Sequence, residues 1–302
     1  MSRAKLEKPF RIGTRGSKLA LWQANEVKRR LLLAHPTIFN KRSIEIVKIK
    51  TSGDIIQDRS LSEIDGKSLF TKEIEEAMLK GNIEIAVHSM KDVPYKLPEG
   101  LIIGAILPRE DFRDAFIGKK PFLELPKNAC VGTSSLRRKH QILRLRPDIS
   151  VVPIRGNVDT RLAKLETGAI DATILAVAGL KRLGIAHVIS SKFSTRQMVP
   201  AVAQGAIGIE CRNLDHHTKT LLEAINHPPT SLCVNTERQV MKYVEASCHT
   251  PLGVVAKIQG KLISLRAFLY NEVTQELRTS YRSGNMLDFY EVGRQVGKDL
   301  LL

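Results

Sequence analysis

The chain is poor in aromatic residues and cysteine, and its acids fall well short of its bases. Phe, Trp and Tyr make up 5% of 302 residues, with a single Trp. A single-strand nucleic-acid surface wants aromatics interleaved with Lys and Arg, and no such interleaving occurs. The four cysteines, Cys130, Cys211, Cys233 and Cys248, form no CxxC pair and have no histidines at zinc spacing, so no metal is expected. Cys130, Cys211 and Cys233 read as core thiols, whereas Cys248 follows a helix in a loop. The longest apolar run, Ala172 to Leu180, is about half of what a membrane span requires. Residues 1–9 are charged and lack the apolar stretch of a secretory signal, so the expected location is cytoplasmic. Acids number 31 against 47 Lys and Arg, a formal charge of +16. That surplus points to an anionic partner, but no long basic block appears. The arginines recur instead at turns after strands, which favours fixed carboxylate or phosphate sites over a nucleic acid or a membrane.

What is there is ordinary apolar content, 43%, in a chain long enough for two or three domains. Strand-like runs and amphipathic segments alternate. Phe10–Ile12 leads through Gly13–Ser17 into a helix to Ala34, with Leu19, Trp22, Val27 and Leu31 on its expected buried face and Ser17 as its cap. Ile44–Ile49 is a strand leading to Thr51–Asp54, and 55–69 is a polar loop before the helix Thr71–Leu79. Ile83–Val87 is a short strand, and Pro94 forces a turn just past Lys91 and Asp92. Leu101–Leu107 is another strand, followed by a crossing segment, Arg109–Asp114.

The pattern then restarts. The strands 129–132, 151–154 and 171–177 alternate with helices at 136–145 and 158–166, the first with Leu136, His140 and Leu143 on one side. Val199–Glu210 reads as a return strand. A long helix from Pro228, strands 253–258 and 262–269 and a final helix from Met286 complete the chain. Alternation at this spacing predicts an α/β fold with mostly parallel sheets and helices on both faces, followed by a smaller α+β domain. The expected domains are 1–108 with 204–225, then 109–203 sharing a ligand cleft with the first, then 226–302.

The polar residues at strand-to-helix turns form a set. Arg15 and Ser17, Lys91 and Asp92, Thr133–Ser135 with Arg137 and Arg138, Arg155 with Gly156 and Asn157, Arg161 and Arg182 all occupy equivalent topological positions, where open α/β sheets hold ligands. A single arginine of this kind reads as a surface residue, and Lys91–Asp92 alone as a solvated ion pair. Five or six arginines at equivalent turns read instead as a cleft for several carboxylates or phosphates at once. Asp92 among them needs a positive partner, which a cationic intermediate or substrate N–H donors supply. Cys248 taken alone reads either as an inert thiol or as a covalent anchor.

Longer motifs narrow the reading. Thr-Arg-Gly-Ser-Lys-Leu-Ala-Leu-Trp-Gln (14–23), Val-His-Ser-Met-Lys-Asp-Val-Pro (87–94), Arg-Glu-Asp-Phe-Arg-Asp-Ala-Phe (109–116), Val-Gly-Thr-Ser-Ser-Leu-Arg-Arg (131–138), Arg-Gly-Asn-Val-Asp-Thr-Arg-Leu (155–162), Leu-Ala-Val-Ala-Gly-Leu-Lys-Arg-Leu (175–183) and Gln-Gly-Ala-Ile-Gly-Ile-Glu-Cys-Arg (204–212) resemble the porphobilinogen deaminase family, in order along the chain. The resemblance implies two domains similar to type II periplasmic binding proteins and a small third one. It implies one covalent dipyrromethane cofactor per chain, held by a thioether to Cys248, and porphobilinogen as substrate of a monomeric enzyme. Asp92 corresponds to the catalytic acid, which helps protonate the departing amine. Lys91, Ser135, Arg137, Arg138 and Arg161 correspond to residues that grip cofactor acids. Arg15, Ser17, Thr133, Ser134, Arg155, Gly156, Asn157, Arg182 and Gln204 correspond to substrate contacts, and Lys67 and Phe70 to a covering loop.

Three departures from the family pattern stand out. Glu245-Ala-Ser-Cys248 replaces Glu-Gly-Gly-Cys, Ala203 replaces the first glycine of Gly-Gln-Gly-Ala, and Ser68 replaces a glycine; left-handed backbone at any of them implies strain. Two other functions compete for the same residues. A non-catalytic two-lobed protein binding anionic ligands has no use for Asp92 or Cys248. A Cys–His hydrolase built on Cys248 and His249 suffers from placing nucleophile and base side by side in sequence.

Overall fold

The computed structural model describes residues 9–55, 69–247 and 249–302. Two compact units emerge: residues 1–109 with 206–231, and 110–205 with 232–302.

In the first unit β1 (Phe10–Thr14) leads into α1 (Lys18–Ala34), followed by β2 (Ile44–Lys48), α2 (Ser52–Ile55), α3 (Lys72–Leu79), β3 (Ile85–Ser89) and β4 (Leu101–Ile106). Ser17 starts α1 as expected, its side chain accepting from the Ala20 N–H at 3.3 Å. The buried face of α1 is Gln23, Ala24, Val27 and Leu31. Trp22 is instead 39% exposed and Leu19 half-buried, because the stripe is turned by about one residue from the apolar pattern. Gln23 takes the inward place and bonds Ser89 at the end of β3, donating to the Ser89 hydroxyl at 2.8 Å.

The second unit begins with β5 (Asp114–Gly118), β6 (Cys130–Gly132), α4 (Leu136–Leu145), β7 (Ser150–Val152), α5 (Val158–Glu166), β8 (Ala172–Ala176), α6 (Val177–Arg182) and the two-residue β9 (Ser191–Lys192). The chain then returns to the first unit as β10 (Ile207–Arg212) and α7 (His216–Glu223). The return strand expected at 199–210 is thus shorter and later. Val199 packs with Val255 and Phe268 rather than pairing in a sheet. Helix α8 (Pro228–Tyr243) leads to β11 (Leu252–Gln259), β12 (Leu262–Tyr270), β13 (Leu277–Asn285) and α9 (Phe289–Leu301).

Among the described residues the first sheet runs β2-β1-β3-β10-β4 and the second β7-β6-β8-β5-β9. Both have three parallel strands, then one antiparallel strand, then an edge strand paired antiparallel to that one. The antiparallel strand in each sheet, β10 or β5, is the one that follows a change of unit along the chain. The expected α/β reading holds, with a three-stranded antiparallel sheet, β11-β12-β13, as the smaller element. Strand β13 lacks an apolar run; most of its residues are exposed, as suits an edge.

The segment between β9 and β10 contains two unusual backbones. Gly205 has φ +87, and a Cβ there would lie 2.5 Å from the Glu110 carbonyl oxygen, so only glycine fits. Ala203 has φ 57, the left-handed region expected to cost a non-glycine about 1–2 kcal/mol. Its methyl is fully buried, worth about 0.8 kcal/mol, and its N–H donates at 2.6 Å to Glu237. Glu237 accepts the Ala256 N–H through its other oxygen, so one buried carboxylate offsets the strain. In the turn before position 248, the left-handed residue is Glu245 (φ 49), and neither Ala246 nor Ser247 is left-handed.

Beneath α3 the first sheet has a polar core. His88 on β3 lies 3.0 Å from Glu210 on β10, both buried, and Glu75 of α3 is 3% exposed. Burial pushes the Glu75 carboxyl up, with the Glu210 and Glu73 charges adding to the effect. A raised acid of this kind stabilises fully below its unfolded value and loses that contribution as pH rises through its folded value. Glu75→Gln, which keeps the shape of the neutral acid, is therefore expected to match the parent in melting temperature at acid pH. It should exceed the parent increasingly as pH rises, which thermal melts across pH 4–9 would read.

Candidate active site

Most of the described candidates lie, unit by unit, in the turns that lead from the carboxyl ends of the parallel strands into helices; Arg182 and Gln204 do not. In the first unit β1 ends at Thr14, and Arg15 and Ser17 occupy the turn into α1. Arg15 donates through Nε to both oxygens of Asp54, at 3.2 and 3.3 Å, and through Nη2 to the same carboxylate. Its guanidinium also lies over the Phe70 ring, 4.3 Å from the centroid. Gly53 makes room for that ring: a Cβ there would sit 2.2 Å from it. Lys67 lies outside the described residues.

Strand β3 ends at Ser89, and Met90–Asp92 form one 3-10 turn closed by the Val93 N–H donating to the Met90 carbonyl at 3.3 Å. Met90 points inward while Lys91 is exposed and Asp92 half-buried. Close packing sets this outward presentation, since a Cβ on Gly208 of β10 would lie 2.0 Å from the Met90 sulfur. No other described side chain hydrogen-bonds or ion-pairs with the Asp92 carboxylate.

In the second unit β6 opens into Thr133–Ser135. The Thr133 hydroxyl accepts the Ser135 N–H at 3.2 Å, Ser134 donates to the Ile154 carbonyl at 2.7 Å, and Ser135 caps α4. The buried side of α4 is Arg137, Arg138, Gln141 and Ile142, not the Leu136–His140–Leu143 face expected from apolar spacing. His140 instead stacks on Tyr270 with centroids 3.6 Å apart. Arg137 and Arg138 both bond Asp114, the first residue of β5, which is wholly buried. Arg137 also donates to the Val199 carbonyl and Arg138 to that of Ile174. Gln204, 1% exposed, donates to the Phe112 carbonyl at 2.8 Å and to Asp114 at 3.2 Å.

The turn after β7 carries Arg155, Gly156 and Asn157, with Gly156 at φ +108 and Asn157 preceding α5. Arg161, one turn into α5, donates through Nε to the Gly156 carbonyl at 2.9 Å. Among the described residues no carboxylate pairs with Arg161. Burial and then the charges of Arg138 and Arg155 pull its guanidinium down to about 10. A cation destabilised by like charges and left without an acid is a donor set that fits an acidic ligand. Arg182, at the end of α6, donates to the Gly205 carbonyl at 2.7 Å. Cys248 lies outside the described residues.

Asp114 and Asp54 were absent from the residues singled out in sequence. Asp114 left a signal, an acid opening the otherwise apolar strand Ala115–Ile117; Asp54 left less, one acid in the short segment Thr51–Asp54 after a strand.

Two family profiles match the chain: "Porphobilinogen deaminase, dipyromethane cofactor binding domain" over residues 10–220 and "Porphobilinogen deaminase, C-terminal domain" over 231–302. Among similar curated proteins, the porphobilinogen deaminase of Paracoccus denitrificans is 47% identical over 97% of this chain and 94% of its own length. That of Geotalea daltonii is 46% identical over 97% and 92%. The chloroplastic porphobilinogen deaminase of Oryza sativa subsp. japonica is 47% identical over 96% of this chain and 83% of its own.

Asp114→Asn should cost about 3–5 kcal/mol of stability, since it leaves two buried guanidinium ions unneutralised. Burial alone would raise the Asp114 carboxyl, but Arg137 and Arg138 outweigh it and hold it far below the usual range. A depressed acid contributes above its unfolded value and loses that contribution as pH falls. The gap between parent and variant in denaturant midpoint should therefore stay constant above about pH 5 and shrink below about pH 4.

Proposed function

The chain belongs to the porphobilinogen deaminase family, and on that premise we propose how its own residues divide the reaction. The activity is that of hydroxymethylbilane synthase, a transferase of tetrapyrrole biosynthesis. Four porphobilinogen molecules condense in turn onto a covalent dipyrromethane primer with loss of ammonia, and water releases the linear tetrapyrrole. The non-catalytic binding reading and the hydrolase reading give way to it.

The observation that carries the residue assignments is the strand-edge cluster around Arg161, a cation held beside other cations and, among the described residues, without an acid of its own. We assign Lys91, Ser135, Arg137, Arg138 and Arg161 to the acid groups of the cofactor, and Cys248 to its thioether. When bound, the dipyrromethane supplies the free pyrrole carbon at which the chain is extended. Arg15, Ser17, Arg155 and Arg182 take the acids of incoming substrate, with Thr133, Ser134, Gly156, Asn157 and Gln204 shaping those turns. Fixed arginines suit this task because planar guanidinium groups hold carboxylates bidentately.

Asp92 acts on protons. Its carboxyl gives a proton to the substrate's amine nitrogen as the carbon–nitrogen bond breaks and ammonia leaves. The carboxylate that remains accepts the pyrrole N–H and faces the positive charge left on the ring. The turn in which it sits supports this role, since among the described residues no side chain engages its oxygens beforehand. We further propose three domains, 1–108 with 204–225, 109–203 and 226–302, in a cytoplasmic monomer without nucleic-acid or membrane partners.

Native and denaturing mass spectra of the parent and Cys248→Ser test the core of this assignment. The parent should carry the added mass of two linked pyrrole units, absent from the variant. Equal masses would remove Cys248 as the anchor, and a dimer mass under native conditions would refute the monomer. Asp92→Ala should lose turnover by about 100-fold or more while melting like the parent. Retained turnover there would overturn the acid.

A further inference from the structure

Two arginine–aspartate pairs at the strand edges differ in one respect that decides what each can do. Arg137 and Arg138 are buried with Asp114, their side chains 5% and 7% exposed and that of Asp114 0%. Arg15 and Asp54 remain partly accessible to water, at 23% and 24%. A buried pair cannot surrender its acid without stranding a charge, whereas a pair open to water exchanges one carboxylate for another at small net cost.

We propose that Asp54 is a built-in competitor for the substrate carboxylate at Arg15 and so a determinant of which anions that arginine accepts. The proposal rests on the assignment of Arg15 to substrate.

Several observations converge on Asp54. Its carboxylate takes the Nε/Nη2 edge of the guanidinium, the edge a bidentate carboxylate ligand uses. One face of the same guanidinium is covered by Phe70. Asp54 is itself held in place, accepting from the Thr51 hydroxyl at 2.8 Å. Its short helix is tied to the segment entering α3, with the Gly53 N–H donating to the Leu69 carbonyl at 2.8 Å and the Ser52 N–H to Glu73 at 2.9 Å. Although burial pushes the Asp54 carboxyl up, the bonds from Arg15 and Thr51 outweigh it and hold it below the usual carboxylate range. At working pH the competitor is therefore always charged.

The arrangement gives selectivity. A bare arginine at a strand-to-helix turn attracts any small anion, including inorganic phosphate. One already neutralised by an internal carboxylate yields only to a ligand whose acid fits the same edge and whose other groups bind elsewhere. Selectivity is gained at the expense of affinity.

The test compares Asp54→Asn with Arg15→Gln in the cofactor-loaded enzyme. Asn keeps the shape of Asp54 and its bond from Thr51 but removes the charge. Competition predicts that Asp54→Asn lowers KM for porphobilinogen about 3- to 10-fold, or about 0.7–1.4 kcal/mol, and by a larger factor than it changes kcat. Inorganic phosphate should inhibit this variant more strongly than the parent. A raised or unchanged KM in Asp54→Asn, with Arg15→Gln also raising KM, would mean that Asp54 merely positions Arg15, and the proposal fails. An unchanged KM in Arg15→Gln would instead remove the assignment beneath it.

Discussion

Asp114 with Arg137 and Arg138 is the interaction on which the second unit is built. One carboxylate, wholly buried at the start of β5, receives two guanidinium groups from the first turn of α4 and the amide of Gln204. The same guanidinium groups reach the Ile174 and Val199 carbonyls. Strand β5, strand β8, helix α4 and the segment near 199 are thereby fixed to one point. Apolar packing could hold these elements as tightly, but it would not orient them. Directional bonds set the rotation of α4 and hence the aim of the Thr133–Ser135 turn at its start.

That constraint explains why the cationic edge can exist. The cations Arg138, Arg155 and Arg161 lie close enough for their charges to oppose one another, and burial adds to the cost. Asp114 neutralises part of that charge through Arg138, and among the described residues no carboxylate pairs with Arg161, which is left for an acidic ligand. In the first unit the balance is looser. Asp92 stands unengaged on a turn secured by Met90 below it, while Arg15 shares its charge with Asp54.

Much of this was legible in sequence where apolar residues carried the signal. Strands β3 and β8 read directly from Ile85–Val87 and Ala172–Leu175, all buried. The strand-to-helix turns read from glycines and hydroxyls after those runs, which is why the site residues could be gathered. Periodicity failed where the inward side chain is polar. Gln23 displaced the expected Trp22 on α1, and Arg137, Arg138 and Gln141 displaced the expected face of α4. Each depends on a partner far along the chain, Ser89, Asp114 or Val199, which no local window contains. Val199 and Val202 misled in the opposite sense. They are buried side chains on irregular backbone, so an apolar stretch was mistaken for the start of β10. The polar edge strand β13 gave no apolar alternation to read.

The position of β10 has a consequence for how the chain is made. It lies between β3 and β4, yet about 100 residues separate the end of β4 from its first residue. At about 5–20 residues per second, a ribosome needs roughly 5–20 s to supply it. Until then the facing edges of β3 and β4 have no partner, and β3 is an apolar strand of the kind that pairs readily with other chains. The first unit is thus the first to emerge, yet its sheet stays incomplete until residues 207–212 have been made. Nascent chains of this protein have to be kept apart while the second unit is translated, and crowded overexpression exposes that interval.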